Sequence, residues 1–219
     1  MRTERAPLES LADAVVKAAP DFGEAEQRVA VHVYRRLAEG SPAPASEVAE
    51  RANVPIERVR GLFATWPGVF LDHQGNIVGF WGLAIRHLTP THRLVVGDRT
   101  LFAWCAWDTL FLPGVLGASA SVESECPTTG ERISLVVSPE GVVETSHPGA
   151  VVSFLLPDRA FDADVIQSFC HFVYFFASRE AGEAWTSEHP GTFLLSLEEA
   201  FELGRLVNAM NFPSLSGGE

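Results

Sequence analysis

Thr100-Leu-Phe-Ala-Trp-Cys-Ala-Trp-Asp-Thr-Leu-Phe-Leu-Pro-Gly-Val-Leu-Gly117 changes character partway along its length. Its first four residues pair by pattern with Leu94-Val-Val96 across Gly97-Asp98, a tight-turn dipeptide, and so read as the second strand of a hairpin. From Asp108 to Leu116 the chain is apolar enough for a buried helix, which Gly117 ends. Downstream, Ala118 to Glu125, Arg132 to Val137, Val142 to Thr145 and Ala150 to Leu156 follow at short spacing with Gly or Pro between them. That pattern predicts a mostly antiparallel sheet. Glu180 to Glu188 and Leu197 to Met210 read as flanking helices, the second opening with Ser196 as N-cap and Glu199 completing a capping box. Phe169 to Phe176 is almost continuously apolar, which suits a buried strand or a buried helix. Its shortness and its aromatic and branched residues favour the strand.

Upstream, Glu24 to Glu39 places Val29, Val33 and Leu37 on one helical face before the stop Gly40-Ser-Pro. Ser46 to Asn53 and Pro55 to Thr65 are two short helical patterns, with Ser46 suited to an N-cap and Pro55 to a first helical position. Val69 to Trp81 is a hairpin turning at Gln74-Gly75-Asn76. Three helices and a hairpin in this order are a winged-helix layout. The expected fold class is therefore α+β: a winged-helix-like N-terminal domain over residues 1–91, a mostly antiparallel sheet domain with flanking helices over 92–211, and a disordered tail over 212–219.

Composition narrows the function. The net charge of −12 is unevenly spread: residues 1–92 carry 10 Lys/Arg against 11 Asp/Glu, and residues 93–219 carry 6 against 17. A nucleic-acid partner needs a basic face, which the second part lacks. In the first part, the would-be recognition helix offers only Arg58 and Arg60, offset by Glu57. No apolar run reaches the roughly 18 residues of a membrane span, and Met1-Arg-Thr-Glu-Arg-Ala-Pro7 has no secretory pattern. The expectation is a soluble, cytoplasmic protein with no membrane or nucleic-acid partner.

Cysteine usage points the same way. Cys105, Cys126 and Cys170 are odd in number and include no Cys-x-x-Cys pair, so they suit reduced thiols better than a disulfide framework or a structural zinc site. Two of them lie in the most aromatic stretches, where Cys105 is followed three residues later by Asp108. Sulfur in apolar surroundings suits a soft metal. On a helix, Cys105 and Asp108 would share a face, and a Cys105 in the first turn would be favoured as thiolate. Asp108, among Trp104, Trp107 and Phe111, would have its pKa raised by burial and could carry a proton. The alternative is that all three cysteines are buried small hydrophobes and Asp108 is a helix cap.

Trp104-Cys-Ala-Trp-Asp-Thr-Leu-Phe-Leu-Pro113 and Ser168-Phe-Cys-His-Phe-Val-Tyr-Phe-Phe-Ala-Ser178, followed by Trp185 and His189-Pro-Gly191, resemble the organomercurial lyase (alkylmercury lyase) family. The resemblance covers most of residues 92–211. It implies a winged-helix-like N-terminal domain that does not read DNA, and protonolysis of a carbon–mercury bond to a hydrocarbon and Hg(II). The implied catalytic residues are Cys105, Asp108 and Cys170, which are also the expected metal ligands. No redox cofactor is implied: Hg(II) is bound as product, low-molecular-weight thiols support turnover, and a mercuric reductase is a candidate recipient. Trp104, Trp107, Phe111, Phe169 and Phe172 would form the apolar wall. Cys126 lies outside both motifs and is read as structural. His171, if on a strand with Cys170, would face away from the metal. Tyr174 stands where the family pattern carries a histidine, and Trp107 is bulkier than the small apolar residue expected there. The rival readings are a metal-responsive winged-helix regulator and a non-catalytic thiolate protein that holds mercury.

Overall fold

The computed structural model describes residues 7–87 and 92–213. The chain opens with a helix that the pattern reading does not include, α1 (Leu8–Ala18), which buries Leu11, Ala12, Val15 and Ala18. Helix α2 (Glu24–Ala38) follows, with Val29, Val33 and Leu37 fully buried at a spacing of four. Two short helices come next, α3 (Ala45–Ala52) and α4 (Ile56–Thr65). Their starts differ from expectation. Pro44 and Pro55 are extended and sit just outside, and their carbonyls accept the first helical bonds from Val48 (3.1 Å) and Val59 (3.2 Å). Ser46 therefore lies within the first turn rather than capping it. Asn53 ends α3 in the left-handed conformation (φ 51°), which Asn tolerates better than most residues.

The hairpin β1 (Val69–Leu71) and β2 (Ile77–Phe80) leads to the short strand β3 (Leu83–Ala84). Strands β4 (His92–Val96), β5 (Arg99–Ala103), β6 (Ala120–Glu125), β7 (Arg132–Ser138) and β8 (Gly141–Thr145) complete an eight-stranded sheet. Its order is β1-β2-β3-β5-β4-β6-β7-β8 and every neighbouring pair is antiparallel. Thus the fold is α+β. The proposed boundary at residues 91 and 92 adjoins the segment 88–91, outside the described residues. The strands on its two sides share one sheet, because β3 pairs directly with β5 through Leu83↔Ala103 and Ala84↔Phe102.

Helix α5 (Asp108–Leu116) leaves the end of β5 and stops at Gly117, whose φ of 64° suits glycine. A second sheet has β9 (Val151–Leu155) in the centre, flanked by β10 (Phe175–Phe176) and β11 (Thr192–Ser196). Between β9 and β10 the chain forms α6 (Val165–Ser168) and a one-turn 3₁₀ helix over Cys170–Phe172. This corrects the strand expected for Phe169 to Phe176. Only its last two residues pair; the turn before them is held by Ser153, whose hydroxyl donates to the Phe172 carbonyl (2.8 Å) and accepts from the Tyr174 amide (2.9 Å).

Helices α7 (Arg179–Glu188) and α8 (Leu197–Asn211) close the chain, α8 opening with the full Ser196–Glu199 capping box. Helix α8 lies against both α1 and α5. A Cβ on Gly204 would come within 2.7 Å of Phe111 Cβ, so only glycine permits this approach to α5. Phe212, placed in the tail by the sequence reading, is instead buried against Phe22 and Tyr34, with centroids at 5.6 and 6.2 Å. Residues 1–6 and 214–219, which carry the leader reading and the rest of the tail, lie outside the described residues. No helix among the described residues is long and apolar enough to cross a membrane.

Candidate active site

Cys105 lies between β5 and α5, not in the helix, because α5 begins at Asp108. The turn is held from two sides: the Ala106 amide donates to the Val173 carbonyl (3.1 Å) and the Thr109 hydroxyl donates to the Ala106 carbonyl (2.7 Å). The first of these bonds ties the Cys105 turn to the Cys170 turn, which is itself closed by the Val173 amide donating to the Cys170 carbonyl (3.1 Å). As a result the Cys105 and Cys170 sulfurs and an Asp108 carboxylate oxygen lie within 4.8 Å of one another, all three residues buried. Asp108 reaches back to accept a 2.8 Å hydrogen bond at Oδ2 from the Cys105 amide.

The electrostatics differ from expectation at one position. Burial pushes the Cys105 thiol well up, helped by the Cys170 thiol and the Asp108 carboxylate. Burial thus favours the neutral thiol here, not the thiolate expected for a place in the first turn of α5. For Cys170, the hydrogen bond from Cys105 favours the thiolate, but burial and Asp108 outweigh it and the net displacement is upward. Asp108 is raised by burial to about 7, against opposing hydrogen bonds from Cys105 and the Cys105 and Trp104 amides. It can therefore hold or release a proton near neutrality.

An apolar cavity leads to the site. Its wall includes Trp104, Trp107, Phe111 and Phe169, as expected; Phe172 is not part of it and packs against His189 at 6.5 Å. Cys170 and Asp108 line the cavity, whereas the fully buried Cys105 lies behind them. Much of the remaining wall comes from distant segments: Val15 and Phe22, Tyr34, Trp81 and Gly82, Phe161, and Val207, Asn208, Asn211 and Phe212. No motif marks these residues in the sequence: the available signals are the amphipathic faces of α1, α2 and α8, which do not distinguish a cavity wall from ordinary core.

The remaining candidates are not members of this cluster. Cys126 is buried at the turn between β6 and β7, with its amide on the Glu131 carbonyl (2.9 Å). Burial raises its pKa, but hydrogen bonds from Thr129 and from the Ala177, Thr129 and Thr128 amides give a net lowering. It is not one of the clustered side chains. His171 lies on the 3₁₀ turn, where strand alternation does not apply, and its Nε2 is buried without a hydrogen-bond partner. Tyr174 lines a separate cleft with His92 and Ser124, yet stands near enough to the two thiols that, after burial, Cys105 and Cys170 push its pKa up.

Residues 87–208 match the family model for alkylmercury lyase, which is more than half of the chain. The chain belongs to the alkylmercury lyase family. It is 42% identical over 178 residues to an alkylmercury lyase of Staphylococcus epidermidis, covering 81% of this chain and 80% of that one. It is 40% identical to an alkylmercury lyase of Pseudomonas putida, with 81% of each chain covered. A solved structure, the mercury-bound form of MerB2, shares the fold with a TM-score of 0.73 at 24% identity, over 93% of this chain and 98% of that chain. The family match takes in Cys105, Asp108 and Cys170, but leaves out the cavity walls contributed by Val15, Phe22, Tyr34 and Trp81.

Proposed function

We propose that this alkylmercury lyase family member breaks carbon–mercury bonds by protonolysis, using Cys105, Cys170 and Asp108. The observation that carries the assignment is the buried triangle of two sulfurs and a carboxylate within 4.8 Å. A soft metal prefers sulfur over the oxygen and nitrogen ligands of most sites. One protein thiol displaces the thiol that accompanies the substrate, and its proton leaves with that thiol. The second binds mercury and gives its proton to the Asp108 carboxylate. Burial disfavours the thiolate at both cysteines, so a base is needed here, and a carboxyl group with a pKa raised to about 7 suits the task. Two sulfur donors push electron density onto the carbon, which takes the proton from Asp108 as its bond to mercury breaks. The products are the hydrocarbon and Hg(II) on two thiolates.

The apolar wall receives the alkyl or aryl group and excludes water that would compete for the proton. We further propose that the reaction uses no organic or redox cofactor, that small thiols carry off Hg(II) in the cytoplasm, and that a mercuric reductase consumes it. The regulator reading is weaker. Arg58 is paired with Glu26 (2.7 Å) and Arg60 with Glu57 (2.9 Å), leaving the candidate reading helix with its arginines engaged.

The deciding experiment is incubation with phenylmercury and excess small thiol, with benzene as the readout. Benzene well above the thiol-only control is expected. Stoichiometric mercury binding without benzene would leave a thiolate binding protein instead of a lyase.

A further inference from the structure

Trp81 and Gly82 form a strained elbow between β2 and β3. Trp81 has a φ of 33°, in the region that favours glycine, and Gly82 follows at 90°. An aromatic residue held there is strained and persists only where its surroundings over-determine it. Three hydrogen bonds do so: the Trp81 amide donates to the Gly68 carbonyl (3.1 Å), the Trp104 amide donates to the Gly82 carbonyl (3.1 Å), and the Tyr34 hydroxyl donates to the Trp81 carbonyl (2.8 Å). The elbow abuts the carboxyl group. A Cβ on Gly82 would lie 2.7 Å from both Cγ and Oδ1 of Asp108.

We propose that Tyr34 is a positioning residue for the Asp108 carboxyl group, acting through the Trp81–Gly82 elbow. This deepens the lyase reading and rests on it. Tyr34 comes from α2, far from the two thiol segments, and is buried in the wall of the same cavity. Its hydroxyl is occupied by the Trp81 carbonyl, and burial, with Asp108 nearby, pushes its pKa well above the ordinary value. It therefore keeps its proton, and its contribution is geometric. The Asp108 oxygen on the Cys105 amide fixes one edge of the carboxyl group, and the backbone of Gly82 limits the other. Releasing the Trp81 carbonyl lets the strained elbow relax, and the space that confines Oδ1 changes with it. A sub-ångström displacement of a proton donor slows proton transfer without altering how two sulfurs hold a metal.

Tyr34→Phe tests this by removing one hydroxyl and leaving the ring. With phenylmercury, kcat for benzene release should fall about tenfold while KM stays within about twofold. Titration with Hg(II) alone, read by the ultraviolet sulfur-to-mercury absorption, should show the parent stoichiometry. Gly82→Ala, which intrudes on Asp108 directly, should give the same split between lost cleavage and retained binding. An unchanged kcat in Tyr34→Phe beside an active parent overturns the inference alone. So does a parallel loss of kcat, mercury binding and thermal stability in both variants, which would mark a general structural role. A parent that releases no benzene overturns the lyase reading and this inference with it.

Discussion

The amide of Cys105 donates to Oδ2 of Asp108 over 2.8 Å, so the backbone of one proposed mercury ligand orients the side chain of the proposed proton carrier. The two groups cannot drift apart independently. Because the turn containing Cys105 is tied through Ala106 to the turn containing Cys170, the proton carrier is indirectly registered on both sulfurs.

Removing either sulfur should end turnover. Cys105→Ala and Cys170→Ala are each expected to bring benzene release from phenylmercury to the thiol-only background, whereas Cys126→Ser should keep most of the activity. Equal loss in all three would show that the third thiol has been misassigned.

Asp108→Asn keeps an oxygen for the Cys105 amide but cannot carry a proton. It should still bind Hg(II) with two sulfurs, yet cleave carbon–mercury bonds at least 10²-fold more slowly, the usual range for loss of a general acid–base group. Stability should report the same group. The folded pKa of about 7 is raised from 3.8, so bound protons stabilise the native chain fully below about pH 4, and this contribution is lost as pH rises through about 7. Thermal unfolding at about pH 5 and pH 8 should therefore show the asparagine variant gaining on the parent at the higher pH, by up to a few kcal/mol. A difference that does not change with pH would contradict a buried, late-titrating carboxyl group.

Gly204→Ala places a methyl group where α8 meets Phe111 at 2.7 Å. Overpacking of this kind costs about 1–3 kcal/mol, partly offset by the better helix propensity of alanine. The urea midpoint should fall measurably. A rise would mean that α8 and α5 can separate without penalty.

A gel shift at moderate salt with random duplex DNA should show no retarded band, since Arg58 and Arg60 are engaged by Glu26 and Glu57. A retarded band whose intensity falls steeply with added salt would revive the regulator reading.

Local chemistry made much of the fold legible. Gly97-Asp98, Gln74-Gly75-Asn76, Gly117 and the Ser196–Glu199 pair each mark an element end in a way that depends on few distant contacts, and the structure places turns or caps at all of them. Phe169 to Phe176 misleads because an unbroken apolar run carries no period, and the partner that decides its backbone is Ser153, a distant hydroxyl. Cys105 misses the helix for a related reason: the α5 boundary depends on where the Asp108 side chain folds back, which residue spacing does not encode. Of the site, the thiols and carboxylate could be read from two segments. The near wall of Trp104, Trp107, Phe111 and Phe169 could be read too, but the far wall could not, since Phe22, Tyr34 and Phe212 become neighbours only through tertiary packing around α1, α2 and α8.

The cavity wall joins Val15 and Phe22 near one end of the chain to Val207 and Phe212 near the other. Any loosening of α1 from α8 would therefore admit water beside Cys170 and Asp108, although neither helix carries a reactive group.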